Sequence, residues 1–146
     1  MTTSSTPLDL TGAETGTPVA STTLCFTRES LVRYAGASGD YNPIHYRDDI
    51  AEEVGLPGVL AHGMLTMGAA IQPVIEALGD PGRVVDYQVR FTRPVLVDPN
   101  RGADVHVEAA VGAAAGDDGI GRIDLTVTFD ERTVLAKAQV RARFAV

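Results

Sequence analysis

From Leu60 to Leu78 the chain is apolar at almost every position: only His62, Thr66, Gln72 and Glu76 are polar or charged. The length suits a helix, yet no polar face is left for solvent, and a helix apolar nearly all round has to be buried. Pro73 is expected to kink it or loosen one turn. Gly63, Gly68, Ala69 and Ala70 let other backbone approach closely. The run falls short of the ~20 uninterrupted apolar residues of a membrane span. The covering must therefore come from protein.

The rest of the chain supplies it. Val85, Tyr87, Val89 and Phe91 alternate with Asp86, Gln88, Arg90 and Thr92, the period of a strand with one apolar face. The same alternation recurs over Val105–Val111, Ile123–Phe129 and Val134–Phe144. Gly116–Gly119 and Asp130–Arg132 serve as hairpin turns. A further strand is expected over Val19–Phe26, then a short helix Arg28–Ala35 capped by Thr27, and a loop Gly36–Pro43. Asp48-Asp49 can cap a second short helix that stops at Gly55. An antiparallel sheet with one apolar face and a helix that needs wrapping combine most economically as an α+β hot-dog, the sheet curved around the long central helix.

At 146 residues the chain holds about one domain. Residues 1–18 mix Thr, Ser, Gly and Pro and are expected to be a flexible leader, with the domain over 19–146. That start has neither the basic residues nor the apolar run of a signal peptide. The single cysteine, Cys25, has no internal partner, which fits a reducing cytoplasm. With Cys25 in a strand-like run, a buried thiol is expected rather than a nucleophile. A net charge of −7 argues against nucleic acid, whose binding needs a concentrated basic face. No membrane association is expected either.

Two short stretches carry the chemistry. In Ser38-Gly39-Asp40-Tyr41-Asn42-Pro43-Ile44-His45, an acid and an imidazole stand four residues apart on a loop shaped by Gly and Pro. Such a pair can bracket one small reacting group, one member accepting a proton while the other donates. Taken alone, the loop equally reads as turn chemistry beside a structural histidine. In Ala61-His62-Gly63-Met64, a glycine opens the buried helix, where unpaired N–H groups suit a developing oxyanion. Tight helix–sheet packing, with His62 as a near-core residue, is the plainer account of the same residues.

Together with Tyr34-Ala35-Gly36-Ala37, with Gly63–Gly68 and with Tyr87-x-Val89-Arg90-Phe91, these stretches resemble the MaoC-like dehydratases, the (R)-specific enoyl-CoA hydratase family. The likeness is nearest to the catalytic subunit of (3R)-hydroxyacyl-carrier-protein dehydratases, and it covers about Phe26 to Pro99. It implies a hot-dog fold, usually paired so that two sheets join, and a hydro-lyase acting reversibly between trans-2-enoyl and (3R)-3-hydroxyacyl thioesters. It implies Asp40 and His45 as the catalytic acid–base pair and Gly63 as the N–H facing the thioester oxygen. Asn42 would orient the loop or the imidazole, and His62, Arg90 and Arg93 are further candidates for contact with substrate.

The expected substrate is an acyl-CoA or acyl carrier protein, with no cofactor and no metal. Asp40, His45 and His62 lack the compact spacing of a metal site. His106, between Val105 and Val107, is expected on the exposed sheet face. A homodimer is the simplest assembly; a heterodimer with a second hot-dog subunit is the alternative. Two other functions compete: an acyl thioesterase on the same fold, and a non-catalytic acyl-binding subunit.

Overall fold

The computed structural model describes residues 6–146. Strand β1 (Pro18–Phe26) leads into helices α1 (Arg28–Ser38), α2 (Asp48–Glu53) and α3 (Gly63–Leu78), and strands β2 (Val84–Phe91), β3 (Ala103–Ala113), β4 (Ile120–Phe129) and β5 (Arg132–Arg143) follow. The strands form one five-stranded sheet in the order β1-β3-β4-β5-β2. Every neighbouring pair is antiparallel, with Thr22 opposite Val107, Val107 opposite Val127, and both Ile123 and Tyr87 opposite Val140. The inward faces of β3, β4 and β5 bury Val105, Val107, Val111, Ile123, Val127 and Val140 against Ala70, Ile71, Val74 and Leu78 of α3. Among the described residues no helix is long and apolar enough to cross a membrane.

Local chemistry sets the boundaries. Thr27 caps α1 reciprocally, its hydroxyl accepting from the Ser30 N–H while the Ser30 hydroxyl accepts from the Thr27 N–H. The helix continues three residues beyond the expected Ala35, because the Ser38 hydroxyl bonds the Tyr34 carbonyl and Gly39, at φ 76°, closes the last turn. Asp48 and Asp49 occupy the first turn of α2 rather than its cap, which is Arg47 and makes no side-chain cap. Helix α3 begins at Gly63, the glycine expected to open it, three residues into the apolar run. Residues 60 and 61 are held extended, Leu60 N–H on the Ile44 carbonyl and Ala61 N–H on the Val95 carbonyl. Pro73 does not interrupt α3.

The expected leader is docked where it is described. Leu10 is buried at 2% exposure, the Leu8 N–H bonds the Ala77 carbonyl, and the Leu10 N–H bonds the Phe144 carbonyl. Residues 1–5 of that segment lie outside the described residues. Cys25 is exposed on the outer face of β1, a correction that follows from parity, since Phe26 beside it is buried. A hydrogen bond with Asp104 next to it pushes its thiol pKa up, which disfavours the thiolate. His106 does lie on the outer face, bonded to the Thr23 hydroxyl at 2.9 Å.

The two ends of α3 differ. At its C-terminus the carbonyls of Ile75, Ala77 and Leu78 are taken by the N–H groups of Gly79 and Leu8 and by Arg83. At its N-terminus no side chain caps the first turn. That open end lies beside the motif loop.

Candidate active site

The loop between α1 and α2 is built from short-range bonds that aim two side chains. The Ser38 hydroxyl accepts from the Asp40 N–H, Asp40 Oδ1 accepts from the Asn42 N–H, and Asn42 Oδ1 accepts from the Ile44 N–H. These are successive side-chain turns of the kind Ser, Asp and Asn favour. Pro43–His45 then forms one 3₁₀ turn. Asn42 thus orients the loop, and no hydrogen bond joins it to the imidazole. From outside, Arg28 pins the loop's flanks together: its guanidinium grips both Asp48 oxygens at 2.7 and 2.9 Å and also the Val97 carbonyl. The same grip holds the Asp48 carboxyl below its ordinary pKa.

His45 is buried and tied to the extended segment before α3, with Nδ1 2.7 Å from the Leu60 carbonyl. A carbonyl only accepts, so we assign the proton to Nδ1 and the free lone pair to Nε2. Nε2 stands 3.9 Å from Asp40 Oδ2. That is too long for a direct hydrogen bond and suits one bridging water, about 2.8 Å from each atom. With Asp40 ionised and His45 neutral, both atoms are acceptors. A water between them donates both its O–H groups and keeps its lone pairs free to attack.

A cavity of about 360 Å³ opens against His45, lined also by Gly63, Thr66, Phe91, Arg93 and Leu135 among others, with Asp40 outside its lining. The uncapped start of α3 reaches it through Gly63. The Phe91 ring lies over Gly63, and a Cβ at that position would stand 3.0 Å from it, so a larger residue would have to displace the ring. Arg93 lines the cavity, while its guanidinium donates to the Thr133 carbonyl at 3.1 Å. Arg90 does not reach it. Tyr87 and Phe91 face α3, so Arg90 between them in β2 faces outward and is exposed. A larger recess of about 770 Å³, near Arg28, Asp98, His106 and Glu131, contains none of the motif residues Asp40, His45, His62 and Gly63.

His62 lies at the back of the site. It is buried, its ring is stacked on that of His45, and Tyr34 meets it edge-on. Burial pushes its pKa below the usual histidine value. Asp40, His45 and His62 offer potential ligand atoms within 4.8 Å of one another. The arrangement does not suit an ion, because a metal lies in the plane of each imidazole that binds it. The two ring planes here are inclined by only 24° and stacked 3.8 Å apart, so no nearby point lies in both.

Sequence reasoning overlooked Leu60, whose carbonyl sets the His45 tautomer, and Phe91 as the cover over Gly63. Backbone carbonyls leave no mark in a residue pattern. Phe91 was legible only as an inward strand residue.

Known proteins resemble this chain in sequence and in fold. The family described as "MaoC like domain" matches residues 10–131. The "3-hydroxyacyl-thioester dehydratase X" of Mycobacterium tuberculosis is 38% identical over 85 residues, covering 58% of this chain and 29% of that protein. A solved "MaoC-like dehydratase" superposes with a TM-score of 0.89 at 32% identity, over 95% of this chain and 43% of that one. The (R)-hydratase PhaJ1 of Pseudomonas aeruginosa gives a TM-score of 0.73 at 27% identity, over 92% of this chain and 85% of the other. The chain spans under a third of the length of the curated relatives it first matches, at 4%, 29% and 20%.

Proposed function

The chain belongs to the MaoC-like dehydratases, and from that membership we propose that it reversibly adds water to trans-2-enoyl thioesters, giving (3R)-3-hydroxyacyl thioesters. The observation that carries the reading is the pairing of Asp40 with the His45 Nε2 lone pair, 3.9 Å apart, beside the uncapped start of α3.

In the hydration direction, Asp40 and His45 hold the water between them. Its oxygen attacks the β carbon as one of the pair takes a proton and the other O–H remains as the product hydroxyl. The electron pair of the double bond moves through the α carbon onto the thioester oxygen. The N–H groups at the start of α3 stabilise that charge, with Gly63 allowing the close approach. The proton just taken is then delivered to the α carbon from the same face, so hydrogen and hydroxyl add syn. Water is consumed whole, the pair ends as it began, and no cofactor or metal enters.

The acyl group rides on coenzyme A or a carrier protein, with Arg93 at the cavity mouth as the cationic contact. Arg90 faces away from the cavity and is not part of this reading. The assembly is a homodimer joined at the free edge of β2, where Val85 and Phe91 are 43% and 50% exposed. A heterodimer with a second hot-dog subunit would use the same edge. Thioester hydrolysis on this fold would need water aimed at the carbonyl carbon; here the bridged water belongs to the side-chain pair and the carbonyl to the helix end.

Loss of enoyl absorbance on mixing the protein with crotonyl-CoA tests the reading. Wild type should hydrate, and Asp40→Asn and His45→Ala should each be slower by about a hundredfold or more, with unchanged circular dichroism. Near-wild-type turnover in either variant would refute the assigned pair.

A further inference from the structure

One buried group in the site takes no part in the chemistry above. His62 is 1% exposed, and its Nδ1 is a buried polar atom with no hydrogen-bond partner. Such orphans are uncommon and unfavourable, so a ring kept in spite of one is kept for its other contacts. Those contacts reach both members of the acid–base pair. The ring face lies on His45, centroids 3.8 Å apart, and Nε2 lies 3.2 Å from the Asp40 carbonyl oxygen. Tyr34 packs edge-on at 4.8 Å against the same ring, and the Thr66 hydroxyl donates to the His62 carbonyl.

A residue needed only for packing would do better as phenylalanine, which has no nitrogen to orphan. A residue needed only to hold the Asp40 carbonyl would do as well as glutamine, which offers no plate for His45. Histidine provides both. We propose that His62 is a positioning residue, its Nε2–H holding the backbone of Asp40 and its ring face holding the imidazole of His45, so that the two catalytic groups keep the separation that one water can bridge. This rests on the hydration reading above.

The groups facing His62 are His45 from the 3₁₀ turn, Asp40 from the loop and Tyr34 from α1. A protonated His62 would repel a proton on His45, and the buried ring stays neutral while His45 cycles. Replacing it by glutamine removes the plate against which the His45 ring is stacked.

The test measures crotonyl-CoA hydration by wild type, His62→Phe, His62→Gln and the Asp40→Asn control. Each His62 variant should lose about tenfold to a hundredfold in kcat with KM little changed. A purely structural role would lower stability and leave kcat of the folded variants at the wild-type value.

A second measurement needs no variant at the site. Imidazole ¹⁵N spectra of the protein, with His106→Gln to simplify assignment among its three histidines, should show neutral His62 protonated on Nε2 and neutral His45 protonated on Nδ1. Wild-type kcat in both folded His62 variants, or a His62 proton on Nδ1, would overturn the proposal. If wild type is no faster than Asp40→Asn, the hydration reading fails, and the His62 tautomer still decides whether the bond to Asp40 exists.

Discussion

A buried neutral histidine has a thermodynamic signature. Burial sets the His62 pKa below that of the unfolded chain. The unfolded state therefore binds more protons below the ordinary histidine range of about 6.5. Stability on this account is full above that range and declines as pH falls through it. Denaturant midpoints taken between neutral and mildly acidic pH should fall in wild type and fall less in His62→Phe; equal declines would contradict the assignment. At Gly63, an alanine Cβ would meet the Phe91 ring at 3.0 Å, at the helix start where the proposed mechanism places the thioester oxygen. Gly63→Ala should cost about tenfold or more in kcat with the fold retained. Asp40 and His45 stood out in the sequence as an acid and an imidazole four residues apart, and the fold brings their side chains to 3.9 Å. The stack of His62 on His45 did not stand out. Those residues lie on different segments, and only the tie from His45 to the Leu60 carbonyl brings the rings face to face.

The elements are held in place largely by groups with no sequence signature. Arg83 is buried without a carboxylate partner, and its guanidinium donates to the carbonyls of Leu8, Leu78, Arg143 and Phe144. It joins the N-terminal segment, the end of α3 and the end of β5. Arg83→Met strands those carbonyls and should destabilise the protein by about 3 kcal/mol or more, read as a lowered denaturant midpoint; a loss under about 1 kcal/mol would show the clamp to be dispensable. In β5, Lys137 sits at φ 47°, where the registers with both β2 and β4 skip a residue. With a second register shift against Val127 and Thr128, Val134 and Leu135 are both buried, against the strict alternation expected, and both line the cavity. Lys137→Gly relieves the left-handed backbone and should be neutral or stabilising by up to about 1 kcal/mol, whereas Lys137→Val should destabilise. Period-two patterns announce strands well; a bulge is one residue of phase, and no residue type here marked it.

For the whole molecule, the apolar helix and the alternating runs carried the architecture, since burying both leaves few arrangements other than a sheet curved on a helix. What the pattern concealed is how much of α3 a single chain covers. Thr66, Ala70, Ile71, Val74 and Leu78 are buried, but Met64 is 59% exposed and Gly68 and Gln72 also face outward. The proposed homodimer would cover that uncovered side of α3, with edge strand β2 supplying the adjoining surface. Light scattering should report twice the 15.4 kDa chain mass, and Phe91→Lys on that edge should shift the protein toward monomer. A monomeric wild type with undiminished activity would contradict this assembly. Chelators should leave turnover unchanged, since the stacked imidazoles cannot share an ion; loss of activity that added metal restores would reverse that conclusion.

Hydration of crotonyl-CoA in deuterium oxide, with the product analysed by NMR, tests the central claim most directly. Delivery of water and proton by Asp40 and His45 from one face predicts a single (3R)-3-hydroxybutyryl-CoA with one deuterium at C2, syn to the hydroxyl, formed by Asp40→Asn more slowly by about a hundredfold or more. Free coenzyme A released by hydrolysis, a (3S) product, or deuterium on both faces of C2 would contradict it.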